Sequence, residues 1–240
     1  MFKNTFLPIS FILIMITVDF PYARSRLAIP DPDFDFGYVP QHAKVSHVFW
    51  LHSTGDDTLK ITNIIAGCGC TKIPLKKAEL AAGDSAELEV IYSTRTYRGR
   101  QTRHPSIMTN MEPKKFQVSF TAEVVPNPEE TYPIIISPYT FDISQFNEKE
   151  RENLNFTITN VSEEDLEISL IDIAPNMFKV KLPRKIRVGK TEKGKIEILD
   201  EYRDHEFEKS MTIELSDKAK SRFTIPIKRK IRVSGAQTNN

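Results

Sequence analysis

The chain repeats itself at a fixed distance, and this repeat limits its fold more than any other feature. The segment 54–61 (TGDDTLKI) aligns with 161–168 (VSEEDLEI), a shift of 107 residues. The same shift relates Phe34 to Phe141, and Phe120 to Ile227. Three separated matches at one shift indicate a tandem duplication of a single domain.

Apolar residues alternate in both copies with a period of two. The run 45–51 places Val45, Phe49 and Leu51 on one face of an extended segment, and the run 116–124 shows the same alternation. Turn-forming residues separate these runs. About seven short strands in roughly 100 residues are typical of an immunoglobulin-like sandwich. The sequence therefore predicts an all-β fold of two tandem immunoglobulin-like β-sandwich domains, about seven strands each, after an N-terminal signal peptide.

These patterns divide the chain into five parts. We expect a signal peptide or N-terminal anchor at 1–28, a first sandwich at 29–126, a Pro-rich linker at 127–132, a second sandwich at 133–235 and a disordered tail at 236–240.

The first residues are typical of an export signal. Lys3 is followed by an apolar run at 6–18 (FLPISFILIMITV), which is too short for a membrane span of about 20 residues. A short basic start and a run of this length fit a secretory signal peptide, with cleavage after Ala23 or Ala28. We therefore expect an exported protein of the periplasm or cell envelope, or a secreted one, that contacts the membrane only if the N-terminal segment is retained.

Charge and motifs argue against several classes of function. Lys plus Arg number 33 and Asp plus Glu number 32, so no overall field attracts nucleic acid. Serine nucleophile elbows, phosphate-binding loops and the HExxH metal motif are absent from the sequence. We expect no catalytic residues, no cofactor and no nucleic-acid partner.

The two cysteines, Cys68 and Cys70, are the only concentrated chemistry. Side chains two apart on a strand lie about 7 Å from each other, whereas Cβ atoms in a disulfide lie near 3.8 Å. A bridge therefore requires the backbone to fold at Gly69, which glycine permits. Four interpretations stay open: a local structural disulfide or two packed thiols, a redox-active dithiol, a Cu(I) site, and a covalent link to another protein. Redox activity needs a cation beside the thiolate, and Lys72 is close in sequence.

Several motifs of the first copy resemble the bacterial domain-of-unknown-function 1573 (DUF1573) family. The most specific are FDFGYV at 34–39 and CGCT at 68–71, followed by AGD at 82–84. That family is similar to the ASPM/SPD/hydin (ASH) and major-sperm-protein group of immunoglobulin-like modules. The resemblance covers about residues 32–125 and implies a seven-stranded sandwich in exported proteins, with no established activity. The second copy has Pro-Asn-Met at 175–177 in place of the Cys-Gly-Cys motif, so only the fold extends there.

Two hypotheses follow for function. The first is an exported, non-catalytic structural or protein-binding module that presents sandwich edges or loops to a protein partner in the cell envelope, because an open edge can accept an added strand. The alternative is an extracytoplasmic thiol protein that binds copper or exchanges disulfides through Cys68 and Cys70. Cys68 and Cys70 are also the only candidate metal ligands, and the preferred expectation is no metal.

The aromatic and imidazole side chains predict no separate site. Trp50, the single tryptophan, is expected to pack in the core or at its flank. His42, His47 and His52 recur every five residues, which sends neighbours to opposite faces of a strand, so they do not form one ligand set.

Overall fold

The structure is a computed structural model that describes residues 23–147, 151–174 and 176–232. In the described chain, strands stack into two successive sandwiches, which confirms the predicted all-β class with tandem immunoglobulin-like domains. Most of the predicted signal peptide, Pro175 and the predicted tail at 236–240 lie outside the described residues. No helix within the described ranges is long and apolar enough to cross a membrane.

The first domain contains strands β1 to β11. Their bounds are Leu27–Ala28 (β1), Asp33–Pro40 (β2), Lys44–Ser53 (β3), Leu59–Ile65 (β4), Thr71–Lys72 (β5), Glu79–Leu80 (β6), Ser85–Ser93 (β7), Gly99–Arg103 (β8), Ser106–Thr109 (β9), Lys115–Gln117 (β10) and Ser119–Val125 (β11). One sheet has the order β1-β3-β7-β5 and another β10-β9-β4-β6. The strands outnumber the seven expected because short pieces such as β5 count separately and Pro105 divides β8 from β9.

The second domain repeats this arrangement. Its strands are Ile134–Ser137 (β12), Phe141–Asp142 (β13), Gln145–Phe146 (β14), Asn153–Asn160 (β15), Leu166–Ile173 (β16), Phe178–Lys181 (β17), Lys185–Ile186 (β18), Thr191–Ile198 (β19), Phe207–Leu215 (β20), Arg222–Arg229 (β21) and Ile231–Arg232 (β22), with 3₁₀ helices at Pro128–Glu130 and Asp200–Tyr202. The sheet β12-β15-β19-β17 matches β1-β3-β7-β5 strand for strand. The first 3₁₀ helix lies inside the predicted linker.

Strand register carries the same repeat as the sequence. Strand β2 pairs in parallel with β11, with Phe34 opposite Phe120, and β13 pairs in parallel with β21, with Phe141 opposite Ile227. Residue 141 follows residue 34, and residue 227 follows residue 120, by the same 107 positions. The duplication is therefore present in the pairing of the strands.

Each domain has its own hydrophobic core. On β3, Val45, Phe49 and Leu51 are fully buried in the first core, as the alternation predicts, while Trp50 points outward. Phe141 and Phe156 pack in the second core with ring centroids 4.6 Å apart. Burial of each such side chain contributes about 1.5–3 kcal/mol, so the alternating faces account for the two-layer packing.

Strand β2 belongs to both domains. It lies between β11 of the first domain and β21 of the second in an eight-stranded sheet of order β18-β16-β20-β21-β2-β11-β8, with β13 attached to β21. Tyr38 pairs with Phe223 across the junction, and their ring centroids are 5.0 Å apart. The two sandwiches are therefore joined through a continuous sheet as well as through the chain.

Gly37 allows this close approach. Its φ is +62°, and a Cβ at this position would lie only 2.0 Å from the carbonyl oxygen of Arg222. Beside it, the Thr224 hydroxyl donates a hydrogen bond to the Phe36 carbonyl at 2.6 Å. Only glycine combines a left-handed backbone with this lack of bulk.

A second contact joins β3 to β20. The Ser210 hydroxyl accepts a hydrogen bond from the Ser46 N–H at 2.9 Å and donates one to the Ser46 carbonyl at 3.0 Å. Lys209 forms an ion pair with Glu89, whose side chain is largely buried. These polar contacts fix how β3 faces the second domain.

Candidate functional site

The two cysteines lie in a turn between β4 and β5 and are joined by a disulfide. Their Cα atoms are 5.2 Å apart, closer than residues two apart on an extended strand. The backbone folds at Gly69, a central residue of the turn in which the Thr71 N–H donates to the Cys68 carbonyl at 3.2 Å, and Gly67, with φ +83°, bends the chain just before it. The Cys70 carbonyl accepts a hydrogen bond from the Ser93 N–H at 2.8 Å, which anchors the turn to β7.

Two guanidinium groups lie against this turn. The Arg103 Nε is 3.5 Å from the Cys70 Sγ, and the Arg95 Nη2 donates to the Gly69 carbonyl at 2.6 Å. Lys72, the cation suggested by the sequence, is an exposed residue of β5. Arg103 therefore places a positive charge in direct contact with a sulfur.

Neighbouring side chains hold Arg103 in place. Its guanidinium lies 5.8 Å from the ring centroid of Tyr92 and 5.4 Å from that of Tyr97, and its Nη2 donates to the Gln101 side chain at 3.1 Å. Burial raises the pKa of Tyr92, and the positive charge of Arg103 acts in the opposite direction. The cation is thus positioned beside the sulfur by aromatic rings and one amide.

The described residues contain no group of three or more His, Cys, Asp or Glu side chains placed to hold a metal ion. Both cysteine sulfurs are committed to their mutual bond. A Cu(I) site at these residues would first require reduction of the disulfide, because thiolates are the ligands.

A second candidate region is an open cleft beside the outer face of β3. It has a volume of about 510 Å³ and is lined by Asp31, His47, Trp50, His52 and Asp172, so both domains contribute to it. Trp50 is 50 % exposed, and its ring lies nearly parallel to that of His52 at 6.4 Å. Of the two expected positions for Trp50, in the core or at its flank, the structure excludes the core. We refer to this region as the Trp50 cleft.

The two histidines of the Trp50 cleft have different partners. The Nδ1 of His47 is 2.8 Å from a carboxylate oxygen of Asp172, and its ring stacks on Phe34 at 3.6 Å. The Nδ1 of His52 is 2.7 Å from the Ser85 hydroxyl. In a catalytic triad, one histidine forms hydrogen bonds with both the nucleophile and the orienting carboxylate. Neither histidine has both partners among its hydrogen bonds in the described residues.

Sequence reasoning missed three of these residues. The alternation on β3 already placed Trp50 on the outer face, since Phe49 and Leu51 face inward, so a usable signal was present. Arg103 and Asp172 gave none, because each reaches its partner only when distant strands come together: Arg103 across 33 residues to Cys70, and Asp172 across 125 residues to His47.

Comparisons with known proteins bear on the fold. The family model described as "Protein of unknown function (DUF1573)" matches residues 27–124. No curated protein matches the sequence.

Solved structures with a similar arrangement of strands include a protein of unknown function from Porphyromonas gingivalis W83, at 14 % identity over 85 % of this chain and 99 % of that one, with a TM-score of 0.36. The ASH / PapD-like domain 7 of human CEP192 matches at 10 % identity over 51 % of this chain and 99 % of that one, with a TM-score of 0.37. WR4, a major-sperm-protein family member from C. elegans, matches at 16 % identity over 42 % and 100 %, with a TM-score of 0.33. These scores are below 0.5, so the likenesses carry no argument about function.

The family match runs from the start of β1 to the last residues of β11, and it includes the FDFGYV segment in β2 and the Cys-Gly-Cys turn. The segment from residue 27 to residue 124 is therefore a domain of the DUF1573 family.

Proposed function

We propose that the protein is an exported, non-catalytic module that binds another protein of the cell envelope, and that the partner binds at the Trp50 cleft. The observation that carries this proposal is a half-exposed tryptophan in a cleft lined by both domains. Tryptophan is enriched among the residues that contribute most to protein–protein affinity, because it buries a large rigid surface at small entropic cost.

Edge-strand addition, the other route considered, has less support. The edge strands β8, β10 and β17 each carry Lys or Arg, including Arg100, Lys115 and Lys179, and the uncharged edge strands β1 and β12 are only 2 and 4 residues long. Cationic residues on an edge oppose pairing with a further strand. The Trp50 cleft has no such barrier, since Asp31 and Asp172 are its charged wall residues apart from the histidines.

Of the two expected cleavage sites, the docking of the N-terminal segment favours the one after Ala23. Cleavage there makes Arg24 the first residue. Its backbone nitrogen lies 2.5 Å from a carboxylate oxygen of Asp56, so the ammonium group that cleavage creates forms an ion pair with Asp56. Cleavage after Ala28 removes β1 and the buried Leu27. We therefore expect mature protein that begins at Arg24.

The test places a photo-crosslinking amino acid at Val48, which lines the Trp50 cleft, in the full chain expressed with its own N-terminal segment. Crosslinked envelope fractions are compared for the parent, Trp50→Ala and Val188→Ala, the last being a matched control because Val188 is also about half exposed but lies in the second domain. We expect one protein adduct that Trp50→Ala abolishes and Val188→Ala retains.

Two results contradict the proposal. An adduct that survives Trp50→Ala rules out the Trp50 cleft as the binding site, and absence of any adduct rules out a stable partner there. N-terminal sequencing of the same material checks export, and an intact Met1 in the cytosol contradicts it.

A further inference from the structure

The Cys68–Cys70 disulfide lies in cationic surroundings. Arg103 Nε contacts the Cys70 sulfur at 3.5 Å, and Arg95 binds the carbonyl between the two cysteines. Among the described residues, no carboxylate forms an ion pair with either guanidinium. A cation that is not neutralised stabilises a thiolate beside it, and this is the feature shared by reactive cysteines.

The two sulfurs differ in access. Cys70 is 3 % exposed and belongs to the first core, whereas Cys68 is partly exposed. The Cys70 N–H and the Thr71 hydroxyl lie 3.3 Å and 3.4 Å from the Cys68 sulfur. An incoming thiolate therefore reaches Cys68 first, and Cys70 is the sulfur left to depart.

The second domain shows that the fold does not require this bridge. It has the same strand order in the sheet β12-β15-β19-β17 with Asn176 and Met177 in place of Gly69 and Cys70. A bridge between residues only two apart also removes little entropy from the unfolded chain. The disulfide thus adds little that packing does not already provide.

We propose that the Cys68–Cys70 disulfide oxidises dithiols of another protein by thiol–disulfide exchange, with Arg103 stabilising the departing Cys70 thiolate. In the first step a substrate thiolate attacks the Cys68 sulfur, a bond forms between these two sulfurs, and the Cys68–Cys70 bond breaks with its electron pair on Cys70. In the second step the other substrate thiolate attacks its own partner sulfur and releases Cys68 as a thiolate. The substrate loses two electrons and becomes a disulfide, and Cys68 and Cys70 gain them.

Each reaction consumes one Cys68–Cys70 disulfide, so the exchange is stoichiometric; it goes beyond the non-catalytic binding proposed for the Trp50 cleft and does not depend on it. A site whose reduced form is stabilised by charge is an oxidant, because that stabilisation favours the dithiol. The substrate class is therefore a protein dithiol that becomes a disulfide.

The experiment equilibrates the full exported chain with reduced and oxidised glutathione, then measures free thiols by alkylation and mass spectrometry. The variants are Arg103→Gln, which removes the charge, Arg103→Lys, which keeps it, and Arg98→Gln, a matched control whose exposed side chain pairs with Glu130 away from the sulfurs. We expect Arg103→Gln to shift the equilibrium about tenfold toward the disulfide, which is about 30 mV for a two-electron couple. Arg103→Lys should shift it less, and Arg98→Gln should leave it unchanged.

Single-cysteine variants test the direction of attack. Cys70→Ser should form a mixed disulfide with glutathione at Cys68, at least about tenfold faster than Cys68→Ser forms one at Cys70, because a buried sulfur is reached slowly. The proposal is overturned if Arg103→Gln and Arg98→Gln give the same equilibrium, or if Cys70 reacts as fast as Cys68. If Arg103→Gln does not fold, Arg103→Lys and the two single-cysteine variants still decide the question.

Discussion

Gly37→Ala is the substitution that most directly perturbs the strand shared by the two domains. The new Cβ would lie 2.0 Å from the Arg222 carbonyl oxygen, whereas ordinary contacts begin at 3.4 Å, so the strands must separate by about 1.4 Å. That movement lengthens the 2.6 Å hydrogen bond from Thr224 to the Phe36 carbonyl beyond its useful range. The lost hydrogen bond costs about 1 kcal/mol, and the left-handed backbone costs an alanine about 1–2 kcal/mol. We expect a total loss of about 2–3 kcal/mol in the free energy of unfolding.

Gly83→Ala is the matched control. Gly83 also has a left-handed φ, +81°, but a Cβ there meets nothing within 4 Å, so only the backbone cost remains. Urea unfolding, followed by circular dichroism and by the fluorescence of Trp50, gives the free energy for both variants. Gly37→Ala should lose at least about 1 kcal/mol more than Gly83→Ala, which is the value of the extra hydrogen bond. Equal losses would refute the shared-strand contact.

Two further predictions concern the disulfide and the pH dependence of stability. Replacing both Cys68 and Cys70 with Ser should leave the first domain folded. Urea unfolding should show a free energy of unfolding lower by at most about 1.6 kcal/mol, which is the loop-entropy value for a disulfide that closes a loop of three residues. Outright unfolding of the variant would show that the fold requires the disulfide. Burial acts to raise the pKa of Asp142, but hydrogen bonds from Ser144 and Lys228 outweigh it and hold the pKa below its ordinary value of 3.8. This carboxylate therefore contributes stability that is fully present above pH 3.8 and is lost as the pH falls through its lowered pKa. Melting curves recorded over that pH range should show a smaller loss of stability for Asp142→Asn than for the parent. An equal loss of stability would be inconsistent with this role.

The sequence predicted what depends on local pattern. Alternation identified the inward faces of β3 and β11, and the shift of 107 residues identified the duplication, because each domain satisfies its own core. Contacts between the two domains produce no periodic pattern in the sequence, so nothing in the sequence indicated that His47 pairs with Asp172. Gly37 did offer one, since a glycine inside a strand often marks the close approach of another backbone.

The surroundings of the cysteine turn could be predicted only in part from the sequence. The spacing of Cys68 and Cys70 required a bent backbone for a bridge, and the structure has one. The sequence suggested Lys72 as the cation beside the sulfurs, because it is close in the chain. The structure has Arg103 there instead, on β8, which pairs with β11. Electrostatic surroundings of this kind are set by strand packing and not by chain order.

The joint at Gly37 also limits how such domains can be strung together. In the second domain the corresponding position, 107 residues later, is Ser144, whose N–H donates to the Asp142 carboxylate at 3.0 Å just as the Gly37 N–H donates to Asp35 at 2.9 Å. The hydrogen bond to the aspartate is thus retained, but Ser144 lacks the left-handed backbone of Gly37, and its hydroxyl accepts a hydrogen bond from the Lys230 N–H within its own domain. A second joint of the same kind would therefore require glycine at position 144, because the approach of a neighbouring strand at Gly37 leaves no room for a Cβ.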